Sequence, residues 1–218
     1  MKLIKRLKNF KSVPFTHSTI LSYLDNYKNP NDKIKQMVKN EEIIRVKQSL
    51  YVVGDIYSDK NISKGLLANL IYGPSYVSME YALSFYGLIP ERVYEITSMT
   101  TKMLKNYDTP FGRFTYIKSP TCIYSKDIKI VQNEDGTSFM IASAEKALCD
   151  KLIFTKKLGI TSVNAMSEYL IDDLRIDVEE LKGFNLDTIK LCMSCGYKIK
   201  LLQYLQKVIK KVQESELC

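Results

Sequence analysis

Asn31, Lys35, Gln36 and Lys39 lie close together in this 218-residue chain and carry the chemistry to read or grip a nucleic acid. A glutamine amide pairs with an adenine edge, and a lysine ammonium reaches guanine or a phosphate. Asp32 can accept from cytosine or serve only to cap the helix that carries it. The spacing predicts that helix, with Asn29 as N-cap, Pro30 at the first helical position and Asp32 in the first turn. It runs to about Asn40 and ends at Glu41-Glu42. At ~100° per residue, Ile34, Met37 and Val38 fall on one side. Asp32, Lys35, Gln36 and Lys39 fall on the other, with Asn31 and Lys33 on the flanks. A second polar group, Arg45, Lys47, Gln48 and Ser49, belongs to Ile43–Val53. There, β-branched segments flank the tip Lys47-Gln-Ser49 and predict a small hairpin.

The elements needed to position these residues are also legible. Thr16 is suited to cap a helix whose apolar residues are Ile20, Leu21 and Leu24. Asn26 to Asn29 makes a turn. Helix, turn, helix and hairpin in that order, over Phe15 to Gly54, predict a winged helix-turn-helix whose second helix enters the DNA major groove by its N-terminus. Its plain competitor is a solvated lysine-rich helix with no ligand. Charge separates the two. Residues 1–55 hold 11 Lys and Arg against 5 Asp and Glu, while residues 56–218 hold 21 against 19. A basic surface serving only solubility predicts no such concentration.

Enzyme signatures are weak. Ser143-Ala-Glu-Lys146 has the serine-x-x-lysine spacing of acyl-enzymes but lacks the partner motifs, and a serine before a helix is normally its cap. There is one histidine, His17, inside the first helical segment, and no glycine-rich phosphate loop. No catalytic residue and no cofactor is expected. Cys192-Met-Ser-Cys195 is half a zinc site without the other half, so no metal is expected. The odd count of five cysteines, widely spaced, predicts buried thiols rather than a disulfide framework. No apolar run reaches the ~18 residues of a membrane span. Met1-Lys-Leu-Ile-Lys-Arg-Leu-Lys8 lacks the apolar region of a signal peptide, and Leu3, Ile4 and Leu7 predict an amphipathic first helix. No membrane partner and a cytoplasmic location are expected.

Asp55 to Asn61 is short and polar and reads as a linker between independently packed units. Beyond it, helices are predicted over 62–71 and 79–86 and strands over 76–77, 93–101 and 111–118, with a turn at 106–110. Strands follow at 128–131 and 138–142 around the turn Asn133-Glu-Asp-Gly136. Helices are then predicted over 143–154, 162–171, 177–182, 187–194 and 197–213. The fold class is α+β. Residues 1–57 form a winged helix-turn-helix DNA-binding domain. Residues 58–218 hold a small mixed or antiparallel sheet packed with helices, then a helical C-terminal region.

Three stretches in this order resemble the AbiEi family of antitoxins from type IV toxin–antitoxin, or abortive infection, systems. They are Ile44-Arg-Val-Lys-Gln-Ser-Leu-Tyr-Val-Val53, then Gly73-Pro-Ser-Tyr-Val-Ser-Met-Glu-Tyr-Ala-Leu-Ser-Phe-Tyr-Gly-Leu-Ile-Pro-Glu91 with Thr109-Pro-Phe-Gly-Arg-Phe-Thr-Tyr116, and Ile141-Ala-Ser-Ala-Glu-Lys-Ala-Leu-Cys-Asp150. The likeness covers about two thirds of the chain. In the wing turn, Ser49 stands where the family usually has glycine. The resemblance implies an N-terminal domain that binds its own promoter DNA and represses the operon. It implies a C-terminal domain, residues 58–218, that counteracts a nucleotidyltransferase toxin, with or without a stable complex. The competing reading is a stand-alone winged-helix regulator whose second domain senses a small molecule. In the C-terminal region, the acidic run Glu168 to Asp187 precedes a basic terminal helix. Such patches can engage a phosphate-handling partner, pair with each other or face water.

Overall fold

The computed structural model describes Phe10, residues 13–57 and residues 62–215. The helix predicted over Leu3, Ile4 and Leu7, and residues 58–61 of the linker, lie outside the described residues.

The first unit is built on a three-stranded antiparallel sheet of β1 (Phe15–Thr16), β2 (Ile43–Lys47) and β3 (Leu50–Val53), in the order β1-β3-β2. Helix α1 (His17–Leu21) starts at Thr16, whose side chain accepts from the Thr19 N–H at 3.3 Å. Helix α2 (Pro30–Lys39) has proline in its first turn and Asp32 beside it, as its sequence predicts, although Asn29 makes no side-chain cap. Ile34 and Met37 bury one face of α2 against Phe15, Ile20, Leu24, Ile43, Tyr51 and Val53, and Val38 packs at the margin.

The hairpin β2–β3 belongs to two cores. All four residues of β3 are buried, although consecutive side chains of a strand point to opposite faces. Tyr51 and Val53 join the first core, while Leu50, Val52 and Val46 join the second. The two units are therefore joined by packing as well as by the chain between them.

The second unit holds a six-stranded sheet in the order β6-β7-β5-β4-β9-β8. Its strands are β4 (Ser75–Val77), β5 (Ile96–Thr100), β6 (Lys105–Thr109), β7 (Gly112–Lys118), β8 (Ile128–Gln132) and β9 (Ser138–Ala142). β4 runs parallel to β9 and β5 parallel to β7, and the other pairs are antiparallel. Helices flank the sheet on both sides. Ser75 and Tyr76 are neighbours in β4 and so face oppositely. Ser75 Oγ donates to the Ala68 carbonyl of α3 (Lys64–Ile71), and Tyr76 Oη donates to Asp150 of α6 (Ala144–Phe154). α4 (Met79–Phe85) leads out of β4, and α5 (Thr121–Tyr124) joins β7 to β8. Helices α7 (Val163–Glu168), α8 (Val178–Lys182), α9 (Leu186–Met193) and α10 (Ile199–Glu214) complete the unit. A π-helical turn at Tyr169–Asp173 follows α7. In α10, Leu201, Leu202, Leu205, Val208 and Ile209 form the buried stripe, and Lys207, Lys210 and Lys211 face outward.

The molecule is thus a mixed α+β fold. Two expectations from sequence change. The turn predicted over 106–110 is mostly strand, since Lys105–Thr109 forms an edge strand paired with β7. Its polar residues fit an edge strand, with Tyr107 alone packed against the core margin. Cys195, expected as a buried thiol, forms a disulfide with Cys122 across a sequence separation of 73 residues, and among the described residues Cys149 and Cys192 are buried free thiols. The Cα atoms of the bonded pair lie 5.8 Å apart. That proximity is created by the fold and has no trace in cysteine spacing.

Candidate nucleic-acid interface

Helix α2 delivers the polar face its sequence predicts. Asn31, Asp32, Lys35, Gln36 and Lys39 are all exposed, opposite buried Ile34 and Met37. Lys33 is half-buried and donates to Gln36 Oε1 at 3.3 Å. Lys35 pairs with Asp32 at 3.0 Å, with both side chains largely exposed. A pair in that setting is held by well under ~1 kcal/mol, so both lysine and glutamine can exchange these partners for a ligand.

The hairpin divides its four residues. Arg45 is exposed on β2, and Gln48 and Ser49 are exposed at the tip. Ser49 holds a left-handed φ of 64°, the conformation that glycine adopts without strain. The tip is tied to the start of α1, where the His17 N–H donates to the Ser49 carbonyl at 3.1 Å. Lys47 goes elsewhere. The register shifts between Arg45 and Lys47, so Arg45 pairs with Tyr51 but Lys47 pairs with Leu50. That bulge turns Lys47 to the Leu50 face, toward the second unit. Its Nζ donates to the Ile71 carbonyl at 2.5 Å and lies 5.9 Å from the centre of the Tyr107 ring.

Lys47 is part of a larger group. Lys102 donates to the Gly73 carbonyl and sits over Tyr72, and Lys105 sits over both Tyr72 and Tyr107. Three ammoniums thus gather at the carbonyl end of α3, where a helix attracts cations. Burial, then the charges of Lys105 and Lys102, push Lys47 below the ordinary lysine value. Lys47 acts as a bolt between the units. Lys47→Met is expected to cost about 1–3 kcal/mol of folding stability in urea titration. Its salt dependence of DNA binding should match wild type. A reduced salt slope with unchanged stability would return Lys47 to the DNA side.

A second cluster lies beneath the sheet, and sequence reasoning did not assemble it. Lys146 and Asp150, one turn apart on α6, form a fully buried ion pair. Lys146 Nζ also reaches Tyr76 Oη at 2.8 Å, while Tyr76 Oη and Ser78 Oγ donate to Asp150 Oδ2 at 3.0 and 2.8 Å. Burial, then the Asp150 charge, pushes the Tyr76 hydroxyl far above its usual range. The i, i+4 spacing of Lys146 and Asp150 was the available signal. Ser143 has a separate task. Its Oγ caps α6 by accepting from the Lys146 N–H at 3.1 Å and donates to Asp127 Oδ2 at 2.6 Å.

Asp127 joins three elements, receiving Ser143, Thr188 of α9 at 2.7 Å and Lys129 of β8 at 2.8 Å. Burial alone would raise its carboxyl, but the hydrogen bonds from Lys129, Ser143 and Thr188 outweigh it and hold the carboxyl below the ordinary 3.8. A depressed carboxylate stabilises the fold above its unfolded value, and that contribution disappears as pH falls through the folded one. Asp127→Asn is therefore expected to be less stable than wild type at pH 7. The gap should close below about pH 4 in paired denaturation curves. A gap independent of pH would show that the charge of Asp127 contributes nothing.

The acidic run of the C-terminal region is partly occupied. Glu179 pairs with Lys182 at 2.6 Å, Asp187 with Lys190 at 2.7 Å, and Arg175 with Glu91 at 2.7 Å. Asp172, Asp173 and Glu180 are exposed. At the start of the basic helix, Lys198 donates to the carbonyls of Leu152 and Thr155. No helix among the described residues is long and apolar enough to cross a membrane, and no group of three or more potential ligands could hold a metal ion there.

No model of a known protein family matches this chain, and no curated protein matches it.

Proposed function

We propose that residues 13–57 are a winged helix-turn-helix that binds duplex DNA, with α2 in the major groove and Gln48 and Ser49 at the wing tip. The carrying observation is the face of α2. Asn31, Lys35, Gln36 and Lys39 are all presented to solvent on a helix whose other side is locked into a core. Arg45 supplies a further exposed cation on β2. The basic excess of residues 1–55 supports the same reading.

With the resemblance of three stretches to AbiEi antitoxins, this makes the chain an autorepressor and antitoxin of a type IV toxin–antitoxin operon in the cytoplasm. The second unit then counteracts a nucleotidyltransferase toxin, and the chain itself catalyses no reaction. The first test is fluorescence anisotropy of the full chain on duplexes from its own promoter and on random duplex, over a salt series. Preference for promoter DNA, with affinity falling as salt rises, is the expected result. Equal affinity for both duplexes would end the repressor reading. The second test looks for a nucleotidyltransferase gene beside that of this chain and supplies it from an unrelated promoter. Coexpression of this chain should restore growth, and unrelieved arrest by a folded, expressed chain would end the antitoxin reading.

A further inference from the structure

The two edges of the six-stranded sheet are finished differently. Edge strand β6 is polar, with Lys105 and Asp108 exposed, and charges of this kind keep an edge from accepting another strand. Edge strand β8 reads Ile128-Lys-Ile-Val-Gln132. Its one charge, Lys129, is held by Asp127 at 2.8 Å. Ile130 is 76% exposed, and its cross-strand partner Met140 is exposed with it on the same side. Among the described residues, the backbone of β8 pairs with β9 alone. The outer side of β8 therefore combines free backbone donors and acceptors with an uncovered apolar side chain, the two things a pairing strand uses.

We propose that β8 is a dimerisation edge, and that its occupant is β8 of a second copy of this chain, paired antiparallel about a two-fold axis at Ile130. The strand is complementary to itself in this register. Ile130 faces its own copy, Lys129 faces Val131 and Ile128 faces Gln132, so no like charges are opposed. Just beyond the strand, Glu134 in the exposed turn of one copy comes to the end where Lys126 of the other lies. Centring the axis on Lys129 instead would set two ammoniums against each other, which disfavours that register. An isologous contact of this kind closes after two copies and makes one continuous sheet of both.

The test uses the full chain. Sedimentation velocity across a concentration series should show a monomer–dimer equilibrium. Ile130→Lys removes an exposed side chain, so its circular dichroism should match wild type, as should its melting at concentrations where both chains are monomeric. It places two ammoniums at the axis and should weaken dimerisation at least about tenfold. Ile130→Cys places two thiols face to face across a pair whose Cα atoms are about 4.5–5.5 Å apart, within disulfide reach. On mild oxidation it should give a disulfide-linked dimer well above the background of the unsubstituted chain. Peptide mapping should find the substituted β8 peptide joined to its own copy through the introduced thiol. A monomer at all concentrations overturns the proposal. So does a dimer indifferent to Ile130→Lys, or an Ile130→Cys chain that cross-links no better than the unsubstituted one.

Discussion

Asp150→Ala is expected to lower folding stability by about 3–5 kcal/mol, because it leaves a buried ammonium without its counter-charge. Lys146 and Asp150 are both fully buried. In the variant, Lys146 keeps only the Tyr76 hydroxyl, and both Tyr76 and Ser78 lose the carboxylate they donate to. Removing both charges discriminates the cause. Lys146→Met with Asp150→Leu takes away the pair and keeps the volume, and such exchanges are often close to neutral. The double variant should recover most of the loss but not all, since two buried hydroxyls then lack an acceptor. Urea denaturation of the three proteins measures this directly. If the double variant is no more stable than Asp150→Ala, the stranded charge is not the reason for the loss.

The largest effect on function is expected from alanines at Lys35, Gln36 and Lys39 together. Removing the hydrogen bonds of Gln36 to a base edge costs about 1–3 kcal/mol and relaxes sequence preference. Each lysine taken from a phosphate lowers the salt slope by about one. The triple variant should therefore bind promoter and random duplex alike, with the slope reduced by about two. These side chains are exposed, and the buried face of α2 is untouched. Circular dichroism and melting should be unchanged. Full promoter preference in a folded triple variant would remove α2 from the groove.

What was legible in the sequence was local. Thr16, Pro30 and the Ile34–Met37 stripe act within one or two helical turns, so α1 and α2 and the exposed side of α2 could be read directly. Ser78 looks like the cap of α4, yet its hydroxyl goes to Asp150 and makes no cap. A cap and a buried donor have the same residue type, and only the tertiary partner separates them. Lys47 reads as part of the polar hairpin tip, and the register shift that instead lets it donate to the Ile71 carbonyl leaves no mark in the local pattern. β6 was hidden by its polarity, and the Cys122–Cys195 bond by the length of chain between its ends. In each case the deciding information was which distant segment lay alongside.

The doubly buried strand β3 has a mechanical consequence. A first unit on a free tether could turn without disturbing the second, but this one shares a structural wall with it. Loosening either core removes support from the other, so the amides of β3 should be among the last to exchange with solvent. The wall is also the path by which binding at one unit would be felt at the other. A partner that grips the second unit more tightly when β3 is seated must, by reciprocity, find its grip changed by the same factor that it imposes on whatever occupies α2.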